Sequence, residues 1–374
     1  MVEAQGEGMT SDEGRGAPTG SPDGSSPAPA RESRAPGVKD VAAAAEVSWK
    51  TVSNVVNGTG RVAETTRTKV EQAIADLGYR PSLAGRQLRQ GRANILALAV
   101  PEIDSPYFSG LAHAVIEAAD ARGYRVFIDE TRGDRAAEES VARGFEVRLI
   151  DGIVFSPLEL SQSEVDRLRG STPMVLLGER PADPRSGAVH TDHVSIDNVL
   201  AAREATQHLL DSGRSRLAFL GAEPGVPERS GVPRLRGFRE ALADAGLPVR
   251  DEWVIPAPTY SRASGAQALE QVLARIDEVD GIVCGNDLLA LGALHVLRTN
   301  GVRVPQDVAV VGWDNTEDGR FANPTLTTVA PDVRAIAEHA VECLVAQVEG
   351  RAGEPSDAVV PHRLLVRESS RAVG

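Results

Sequence analysis

Residues 38–92 read VKDVAAAAEVSWKTVSNVVNGTGRVAETTRTKVEQAIADLGYRPSLAGRQLRQGR. In the Ala-rich segment 38–45 the apolar residues recur at helical spacing, which predicts a first helix, and the next two residues interrupt the pattern. A second helix is expected to begin at Ser48, and a third, amphipathic helix is expected to cover Glu64 to Leu77. Two short helices joined by a tight turn form the pattern of a helix-turn-helix.

The second helix carries side chains that suit the DNA major groove. Its valines are expected to face the partner helices, and the residues expected to face outward are Trp49, Lys50, Ser53 and Asn54. Lysine donates to the acceptor edge of guanine and asparagine pairs with adenine. We therefore predict that Trp49, Lys50 and Asn54 read bases, and that the hydroxyls of Thr51 and Ser53 contact phosphates. Small helical bundles without a DNA partner show the same pattern, so two helices alone leave that alternative open.

The residues that follow the second helix extend the pattern. Asn57–Gly58 has the composition of a helix C-cap, Gly78 stops the third helix, and Tyr79–Pro81 leads out in extended form. Residues 38–92 resemble the DNA-binding domain and hinge of the LacI family of bacterial repressors, through the pieces KDVAAAAEVS, TVSNVVNG, RVAETTRTKVEQAIADLGYRPS and LAGRQLRQGR. The resemblance implies that this segment reads operator DNA.

The resemblance also implies a hinge over 81–92. Residues 81–89 are expected to be disordered without DNA and helical on it, with Leu88 of each subunit wedged into the minor groove. The alternative is that Leu88 packs on the body of the protein. The predicted DNA-binding residues are Ser48, Trp49, Lys50, Thr51, Ser53, Asn54, Asn57, Arg61, Tyr79, Leu88 and Arg89.

Two positions depart from the family pattern. Glu46 stands where the family usually has a turn glycine, so either Glu46 adopts a left-handed conformation or the turn is altered. Asn54 stands where many relatives have arginine, so the base read by this position is expected to differ. The operator sequence of a relative is therefore not transferable to this chain.

The length and composition exclude several classes of protein. A chain of 374 residues is longer than one ordinary domain and fits a small head followed by a two-lobed body. No apolar run approaches the ~20 residues that a membrane helix requires, so no membrane partner is expected. The acidic start MVEAQGEGMTSDEG lacks the regions of an export signal, which predicts a cytoplasmic location. Cys284 and Cys343 are too few for a disulfide framework.

The net charge of −13 is unevenly distributed along the chain. Residues 37–92 hold nine Lys and Arg against five Asp and Glu, so this segment carries +4 and the remainder of the chain carries −17. A basic head on an acidic body favours phosphate contact through the head alone, because the DNA duplex repels the body.

The texture of the sequence indicates four segments. Residues 1–36 are dense in Gly, Pro, Ser and acid, which predicts a disordered tail before the DNA-binding domain at 37–80 and the hinge at 81–92. From residue 93 apolar strand patterns alternate with amphipathic helices, which is typical of parallel sheets covered by helices. These strand–helix units are more numerous than those of one doubly wound sheet. We therefore predict an α/β core over 93–374 with two doubly wound parallel-sheet lobes, preceded by a small all-α head.

The core resembles the periplasmic-binding-protein-like core of the same family. The motifs that carry this resemblance are DSPYF (104–108), DGIVFSPL (151–158), RLRGF (234–238), GNDLLALGAL (285–294), VVGWDN (310–315) and LTTVAPD (326–332). The resemblance implies three crossings of the chain between the lobes, near 192–197, 324–330 and 357–360. The implied lobes are an N-lobe of about 93–192 and 328–356 and a C-lobe of about 193–327 and 357–374.

Motifs for catalysis are missing from the sequence. No GxGxxG follows a strand, and neither GxxxxGK[ST] nor GxSxG occurs, so we expect no enzyme, no catalytic residue and no cofactor. The segment His190–His193, HTDH, is the one candidate for a metal. Two histidines three apart on a loop are usually solvated side chains, so no metal ligand is predicted.

Candidate ligand residues follow the apolar strands, at the end where loops open toward the other lobe. Carboxylates and amides suit vicinal hydroxyls, arginine adds a charged donor, and an aromatic ring suits the apolar face of a sugar. The motifs RLRGF, GND and GWD match the family's effector-binding positions at Arg234, Asn286 and Asp314. The predicted effector-binding residues are Tyr107, Phe108, Glu159, Ser230, Arg234, Tyr260, Asn286 and Asp314.

Three residues near these positions receive structural interpretations. Asp287 is expected to cap the helix that begins at Leu288. Arg234 stands at a helix start, where the helix dipole disfavours a cation, and this suggests a buried carboxylate or a ligand as its partner. Trp313 replaces a smaller aromatic residue of the relatives and is interpreted as packing beneath the site.

Together these observations predict a transcriptional repressor that acts as a homodimer and binds near-palindromic double-stranded operator DNA through two heads. A small-molecule effector, interpreted as a sugar, is expected between the two lobes. A sugar-binding transport component is the alternative that the body alone permits, and an enzyme on a doubly wound fold is a second one. The basic head argues against the first, and the missing catalytic motifs argue against the second.

Overall fold

The computed structural model describes residues 36–57, 59–80, 92–146, 149–178, 191–223 and 231–371. The chain divides into two compact units, a head that ends at Pro81 and a core that begins at Ser82. Apart from Pro36 and Arg92, the predicted tail and hinge lie outside the described residues.

The head is a bundle of three helices, α1 Val38–Ala44, α2 Trp49–Asn57 and α3 Glu64–Leu77. Val41, Val52 and Val70, one from each helix, are fully buried and form the centre of its core. The predicted third helix is confirmed with the same bounds. Gly78 ends it in the left-handed conformation with φ of 60°, as expected for a glycine C-cap.

The turn between α1 and α2 requires a left-handed residue. Glu46 has φ of 55°, so the first of the two possibilities for this turn is the one that occurs. The N–H of Val47 donates to the carbonyl of Ala42 at 3.0 Å and closes the turn. The Ser48 hydroxyl then accepts the N–H of Thr51 at 3.1 Å, which satisfies a free donor at the start of α2.

The core is built from strands that alternate with helices. Its strands are β1 Ile95–Val100, β2 Arg125–Glu130, β3 Gly152–Phe155, β4 Met174–Leu177, β5 Asp192–Ile196, β6 Leu217–Ala222, β7 Val254–Pro256, β8 Gly281–Cys284, β9 Ala309–Trp313, β10 Thr327–Pro331, β11 Asp357–Val360 and β12 His362–Leu365. Its α-helices are α4 Pro106–Asp120, α5 Arg135–Ala142, α6 Gln162–Leu168, α7 Asn198–Asp211, α8 Gly231–Asp244, α9 Arg262–Val272, α10 Asp287–Thr299, α11 Glu317–Phe321 and α12 Val333–Val348.

The strands form two six-stranded sheets. The first has the order β11-β5-β4-β3-β1-β2, and all of its strand pairs are parallel. The second has the order β12-β10-β9-β8-β6-β7 and is parallel except for the antiparallel pair β10–β12. Central strands such as β1, β3 and β8 are buried along their whole length, because helices cover both faces of a parallel sheet. The predicted two-lobed α/β fold is confirmed.

The boundaries of the lobes differ from the expected ones at three strands. β5 and β11 belong to the first sheet, although the expected boundaries place most of β5 and all of β11 in the C-lobe. β10 belongs to the second sheet, although the expected boundaries divide it between the lobes. The chain crosses between the sheets just after β5, β10 and β11. The expected crossings overlap these strands because an apolar run does not reveal which sheet it will join.

The lobe that contains the first sheet is called the first lobe, and the lobe that contains the second sheet is called the second lobe. Helix α12 returns the chain to the first lobe. It packs against α4 and against β3, β4 and β5, and its residues Ile336, Ala340 and Leu344 are buried. Its apolar residues recur at helical spacing, so one face of the helix is buried. Among the described helices of the chain, none is both long and apolar enough to cross a membrane.

Candidate functional sites

The exposed face of α2 is the candidate DNA-reading surface. Trp49 is 58% exposed and Lys50 is also exposed, whereas Val52 and Val55 are buried against the other two helices. Because an exposed tryptophan is unusual on a monomeric surface, its position beside a lysine indicates a surface with a partner. The helix therefore presents two of the predicted base-reading side chains to solvent.

Two other residues of α2 lie differently from the expectation. Ser53 is only 9% exposed, so the prediction that it faces outward is wrong. It adjoins Val52 and Val56 around the helix, and periodicity does not show whether a small residue at the edge of an apolar stripe is covered. Asn54 is half-buried, and a Cβ atom added to Gly60 would lie 3.0 Å from its Nδ2, so its amide lies against the loop after α2.

The remaining residues that were predicted to contact DNA differ in how exposed they are. Ser48 and Arg61 are exposed, and Thr51 is half-buried. Tyr79 packs against the core of the head, and its N–H donates to the carbonyl of Ile74 at 3.0 Å. The side chain of Asn57, together with Leu88 and Arg89 of the hinge, lies outside the described residues.

The candidate effector site is a cavity of about 340 Å³ between the two lobes of the core. It lies at the carboxyl ends of strands from both sheets, where parallel α/β sheets bind ligands. Six of the predicted effector-binding residues line it, namely Tyr107, Phe108, Arg234, Tyr260, Asn286 and Asp314. Ser230 lies outside the described residues.

The two walls of the cavity have different chemistry. The wall from the first lobe is mostly apolar, with Tyr107, Phe108, Leu111, Leu158, Leu177 and Val194. It also contains two charged residues, Glu102 and Arg132, and three serines, Ser105, Ser156 and Ser195. The wall from the second lobe is largely polar, with Asn198, Glu223, Arg234, Thr259, Tyr260, Asn286 and Asp314. A ligand that matches both walls has an apolar face and an edge of hydroxyl or amide groups.

Glu159 does not belong to the cavity wall, so the structure does not support its predicted role. Its neighbour Leu158 lines the cavity instead. The N–H groups of Leu158, Glu159 and Leu160 all donate to the buried carboxylate of Glu138, at 2.8, 2.9 and 2.9 Å. The sequence places the whole loop after β3 correctly, but it does not reveal which of two adjacent side chains turns inward.

Arg234 extends from α8 into the cavity wall and is held by three groups. Its Nε donates to Oδ1 of Asn198 at 2.9 Å, and its Nη1 donates to the carbonyl of Gly285. Its guanidinium lies over the ring of Trp313, 4.1 Å from the centroid. In place of the expected carboxylate, its partners among the described residues are an amide, a carbonyl and an aromatic ring, and the expected ligand partner stays a prediction. Trp313 is 1% exposed and packs beneath the site, as interpreted.

Tyr260 and Glu223 form a second polar group in the wall. The Tyr260 hydroxyl donates to the carbonyl of Gly221 at 2.8 Å. Burial, and then the nearby Glu223 carboxylate, raise the pKa of Tyr260 well above its usual value, so the phenol stays neutral. Glu223 also accepts the N–H of Gly231 at 3.0 Å. Sequence reasoning missed Glu223 and Asn198, although each follows a strand, which is the signal that selected the other candidates.

The start of α10 contradicts the predicted cap. Oδ1 of Asn286 accepts the N–H of Leu289 at 2.9 Å, so Asn286 is the N-cap, and its Nδ2 donates to the carbonyl of Tyr260 at 3.2 Å. Asp287, the expected cap, is fully buried and accepts hydrogen bonds from Thr316 and Thr328 instead. Both residues are cap formers, and only the backbone conformation distinguishes the cap position from the next one.

Asp314 lies in the polar wall, and its backbone has φ of 101°. Burial raises the pKa of Asp314 to about 8; the Arg234 cation opposes this shift, and the Asp287 carboxylate adds to it. At neutral pH the carboxyl group is therefore largely protonated and can both donate and accept a hydrogen bond. Such a group suits a hydroxyl, which needs one partner of each kind.

The segment HTDH does not form a metal site in the described residues. His190 lies outside them, and the described part of the chain contains no group of three or more metal-ligand side chains. His193 is buried in β5, where its Nδ1 lies 2.9 Å from Oδ1 of Asp357. The interpretation of this histidine as a solvated loop residue is therefore wrong, because the end of the motif is part of a strand.

Comparisons with known proteins place both units among bacterial regulators. The family described as bacterial regulatory proteins, lacI family, matches residues 37–82, and the periplasmic binding protein-like domain matches residues 206–370. The transcriptional regulator CelR of Thermobifida fusca is 33% identical over 341 residues, which cover 90% of this chain and 98% of CelR.

Solved structures give the same result. A complex of the regulator CelR with cellobiose is 31% identical with a TM-score of 0.66, and the match covers 89% of this chain and 99% of that one. The lac repressor dimer bound to operator and the anti-inducer ONPF is 26% identical with a TM-score of 0.78, over 90% of this chain and 99% of that one. The likeness therefore extends over the DNA-reading and effector-binding parts of these proteins.

Proposed function

The chain belongs to the LacI family of DNA-binding transcriptional regulators, and from that membership we propose that it is a repressor controlled by a carbohydrate held between the lobes of its core. The observation that carries this proposal is the cavity with one mostly apolar wall and one polar wall. The apolar side matches the flat face of a sugar ring, and Arg234, Asn286 and Asp314 on the other side match its hydroxyl groups. The cellobiose complex of CelR supports the same ligand class.

The proposed DNA-bound form is a homodimer whose two heads read the half-sites of a near-palindromic operator. One recognition helix contacts too few base pairs for a unique genomic site, and two-fold symmetry doubles the contacted length. The dimeric lac repressor on its operator supports this arrangement. Because the operator is chromosomal, the proposed place of action is the cytoplasm.

In the proposed function the ligand is bound and released without being chemically converted. The curated relatives are regulators, and the polar groups of the cavity are already engaged in hydrogen bonds that orient them for binding. A transport component is the second candidate, favoured only by the likeness of the core to periplasmic binding proteins. The DNA-reading head distinguishes the two functions.

The test combines selection of DNA with a sugar panel. The full chain is used to select operators from random DNA, and operator affinity is then measured with mono- and disaccharides that include cellobiose. We expect one near-palindromic motif and a change of affinity with one ligand class. Asp314→Ala should remove the response, and Asp251→Ala, which removes an exposed carboxylate of the same lobe, should keep it. Sugar binding without selective DNA binding would favour a transport component, and turnover of the sugar would favour an enzyme.

A further inference from the structure

Three segments of the second lobe meet at one buried carboxylate, that of Asp287 in the first turn of α10. Its Oδ2 accepts the N–H of Thr316 at 2.7 Å and the hydroxyl of Thr316 at 3.1 Å. Its Oδ1 accepts the hydroxyl of Thr328 at 2.7 Å. A Cβ atom added to Gly312 would lie 2.3 Å from the same Oδ1, so the carboxylate occupies the space of a side chain at position 312. The motifs GND, VVGWDN and LTTVAPD therefore have a common centre.

The turn that follows β9 is held in an unfavourable conformation. Asp314 has φ of 101° and Asn315 has φ of 54°, and neither residue is glycine. Residues in such conformations cost on the order of 1–3 kcal/mol each and persist only where the surroundings impose them. The strain in this turn therefore requires contacts that hold it in place.

Each N–H group of the turn has a partner. The N–H of Asp314 donates to the carbonyl of Val329 at 2.8 Å, and the N–H of Asn315 donates to Oγ1 of Thr328 at 3.2 Å. The third N–H, that of Thr316, donates to Asp287. Asp287 also accepts the hydroxyl of Thr328, so it orients the group that holds the second N–H. Two of the three contacts therefore depend on Asp287.

We propose that Asp287 is a positioning residue of the effector site: its buried carboxylate holds the turn Asp314–Thr316 in the conformation that places the Asp314 carboxyl in the cavity wall. Asp287 itself does not line the cavity. A carboxylate is suited to this task because its two oxygens accept from three donors at once, whereas an amide has a single acceptor oxygen. The consequence for binding rests on the proposed effector function, but the consequence for the turn does not.

The first experiment needs no effector. Crystal structures of the full chain are determined for the wild type, Asp287→Ala and the control Asp280→Ala. Asp280 is a largely buried carboxylate of the same lobe that accepts the N–H groups of Ser215 and Arg216, and it precedes β8 at the end away from the cavity. We expect Asp314 and Asn315 to lose their positive φ in Asp287→Ala only. An unchanged turn in Asp287→Ala, or an equal change in Asp280→Ala, would overturn the proposal.

A milder variant covers the case in which Asp287→Ala does not fold. Thr328→Val keeps the shape of a fully buried side chain but removes the hydroxyl that links Asp287 to the N–H of Asn315. We expect the turn to relax at Asn315 in this variant too. Asp287→Asn retains an acceptor for the N–H of Thr316 and should preserve the turn better than Asp287→Ala. A native turn in Thr328→Val would contradict the proposed role.

The second experiment measures binding of cellobiose by calorimetry to the wild type, Asp287→Ala, Asp314→Ala and the double variant. The control Asp280→Ala is measured in the same way. We expect at least about a tenfold loss in Asp287→Ala and in Asp314→Ala and no further loss in the double variant, because coupled residues are not additive. Additive losses, or an equal loss in Asp280→Ala, would show a general effect on the lobe and overturn the proposal. If the wild type binds neither cellobiose nor another sugar, the proposed ligand class fails, and the crystal structures still decide the role of Asp287.

Discussion

The guanidinium of Arg234 lies 4.1 Å from the centroid of the Trp313 ring, which places a permanent cation on an aromatic face in the wall of the effector cavity. Such contacts contribute about 0.5–2 kcal/mol and favour a flat arrangement of the two groups. Because Asn198 accepts from Nε of the same side chain, the guanidinium has a defined plane before any ligand arrives. Trp313 therefore contributes to the site from below, through the residue it supports.

The first prediction concerns this arrangement. Arg234→Lys keeps the charge but loses the flat stacking and the hydrogen bond from Nε to Asn198. We expect effector affinity to fall by about tenfold or more, which corresponds to ~1.4 kcal/mol. Calorimetry with the identified effector measures it, and the neighbouring exposed Arg236→Lys is the control. Equal effector affinity in Arg234→Lys and the wild type would exclude a role for the guanidinium plane.

A second prediction separates base reading from general attraction to DNA. Lys50→Ala should lower operator affinity by about 1–3 kcal/mol and relax the selected motif at one position, because Lys50 is exposed on the recognition helix. Lys69→Ala removes the same side chain from α3 and should leave the selected motif unchanged. Ser53→Ala should also leave it unchanged, since Ser53 is buried. Operator selection from random DNA gives the result, and an unaltered motif in Lys50→Ala would refute the assignment.

The third prediction concerns the turn between α1 and α2 in the head. Glu46 is exposed and has φ of 55°, a conformation that glycine adopts without steric cost. Glu46→Gly should therefore stabilise the head by about 0.5–1 kcal/mol, despite the greater entropy of glycine in the unfolded chain. Glu46→Ala keeps the steric cost and should not stabilise. Hydrogen exchange at the amides of α1 and α2 measures the difference, and a destabilised head in Glu46→Gly would show that the side chain has a role of its own.

A fourth prediction concerns the buried Glu138, whose carboxylate accepts three backbone N–H groups of the loop after β3. Glutamine retains one acceptor oxygen and turns an NH₂ group toward donors, so Glu138→Gln should lower stability by about 1–3 kcal/mol. The control is Glu139→Gln, next to it on α5, which removes partly exposed ion pairs with Arg135 and Arg143 and should cost less than about 1 kcal/mol. Thermal unfolding compares the two, and equal losses would contradict the role of the buried carboxylate.

The last prediction is a pH dependence from Asp314. Its pKa is raised to about 8 in the folded chain, compared with about 3.9 in an unfolded one, so the folded state binds this proton more tightly between these values. Its contribution to stability is therefore greatest below pH 4 and is lost as the pH rises toward 8, with a slope of up to about 1.4 kcal/mol per pH unit. Asp314→Asn cannot ionise, so its stability relative to the wild type should rise with pH. Thermal unfolding at several pH values gives the comparison, and a pH-independent difference would show that the carboxyl titrates normally.

Local chemistry alone was sufficient for much of this protein. The bounds of α3 follow from the spacing of its apolar residues and from Gly78 as the residue that stops it. The position of the cavity at the carboxyl ends of the strands can also be predicted from the sequence, since parallel strands bring these ends together. Arg234 and Asn286 could therefore be placed near one another although 52 positions separate them in the numbering.

Where two adjacent residues could fill the same role, only the tertiary structure decided which of them does. Asn286 and Asp287 are equally good caps by composition, and Leu158 and Glu159 share one loop. Contacts outside these pairs distinguish them: Asp287 accepts a hydrogen bond from Thr316, and the N–H of Glu159 donates to Glu138. Membership of β5, β10 and β11 in their sheets is likewise decided by pairing over long separations. The physical reason is that spacing along the chain reports torsional preference and the period of burial. The direction of one side chain also depends on groups tens of positions away, such as Thr328 for Asp287, and no local pattern contains that information.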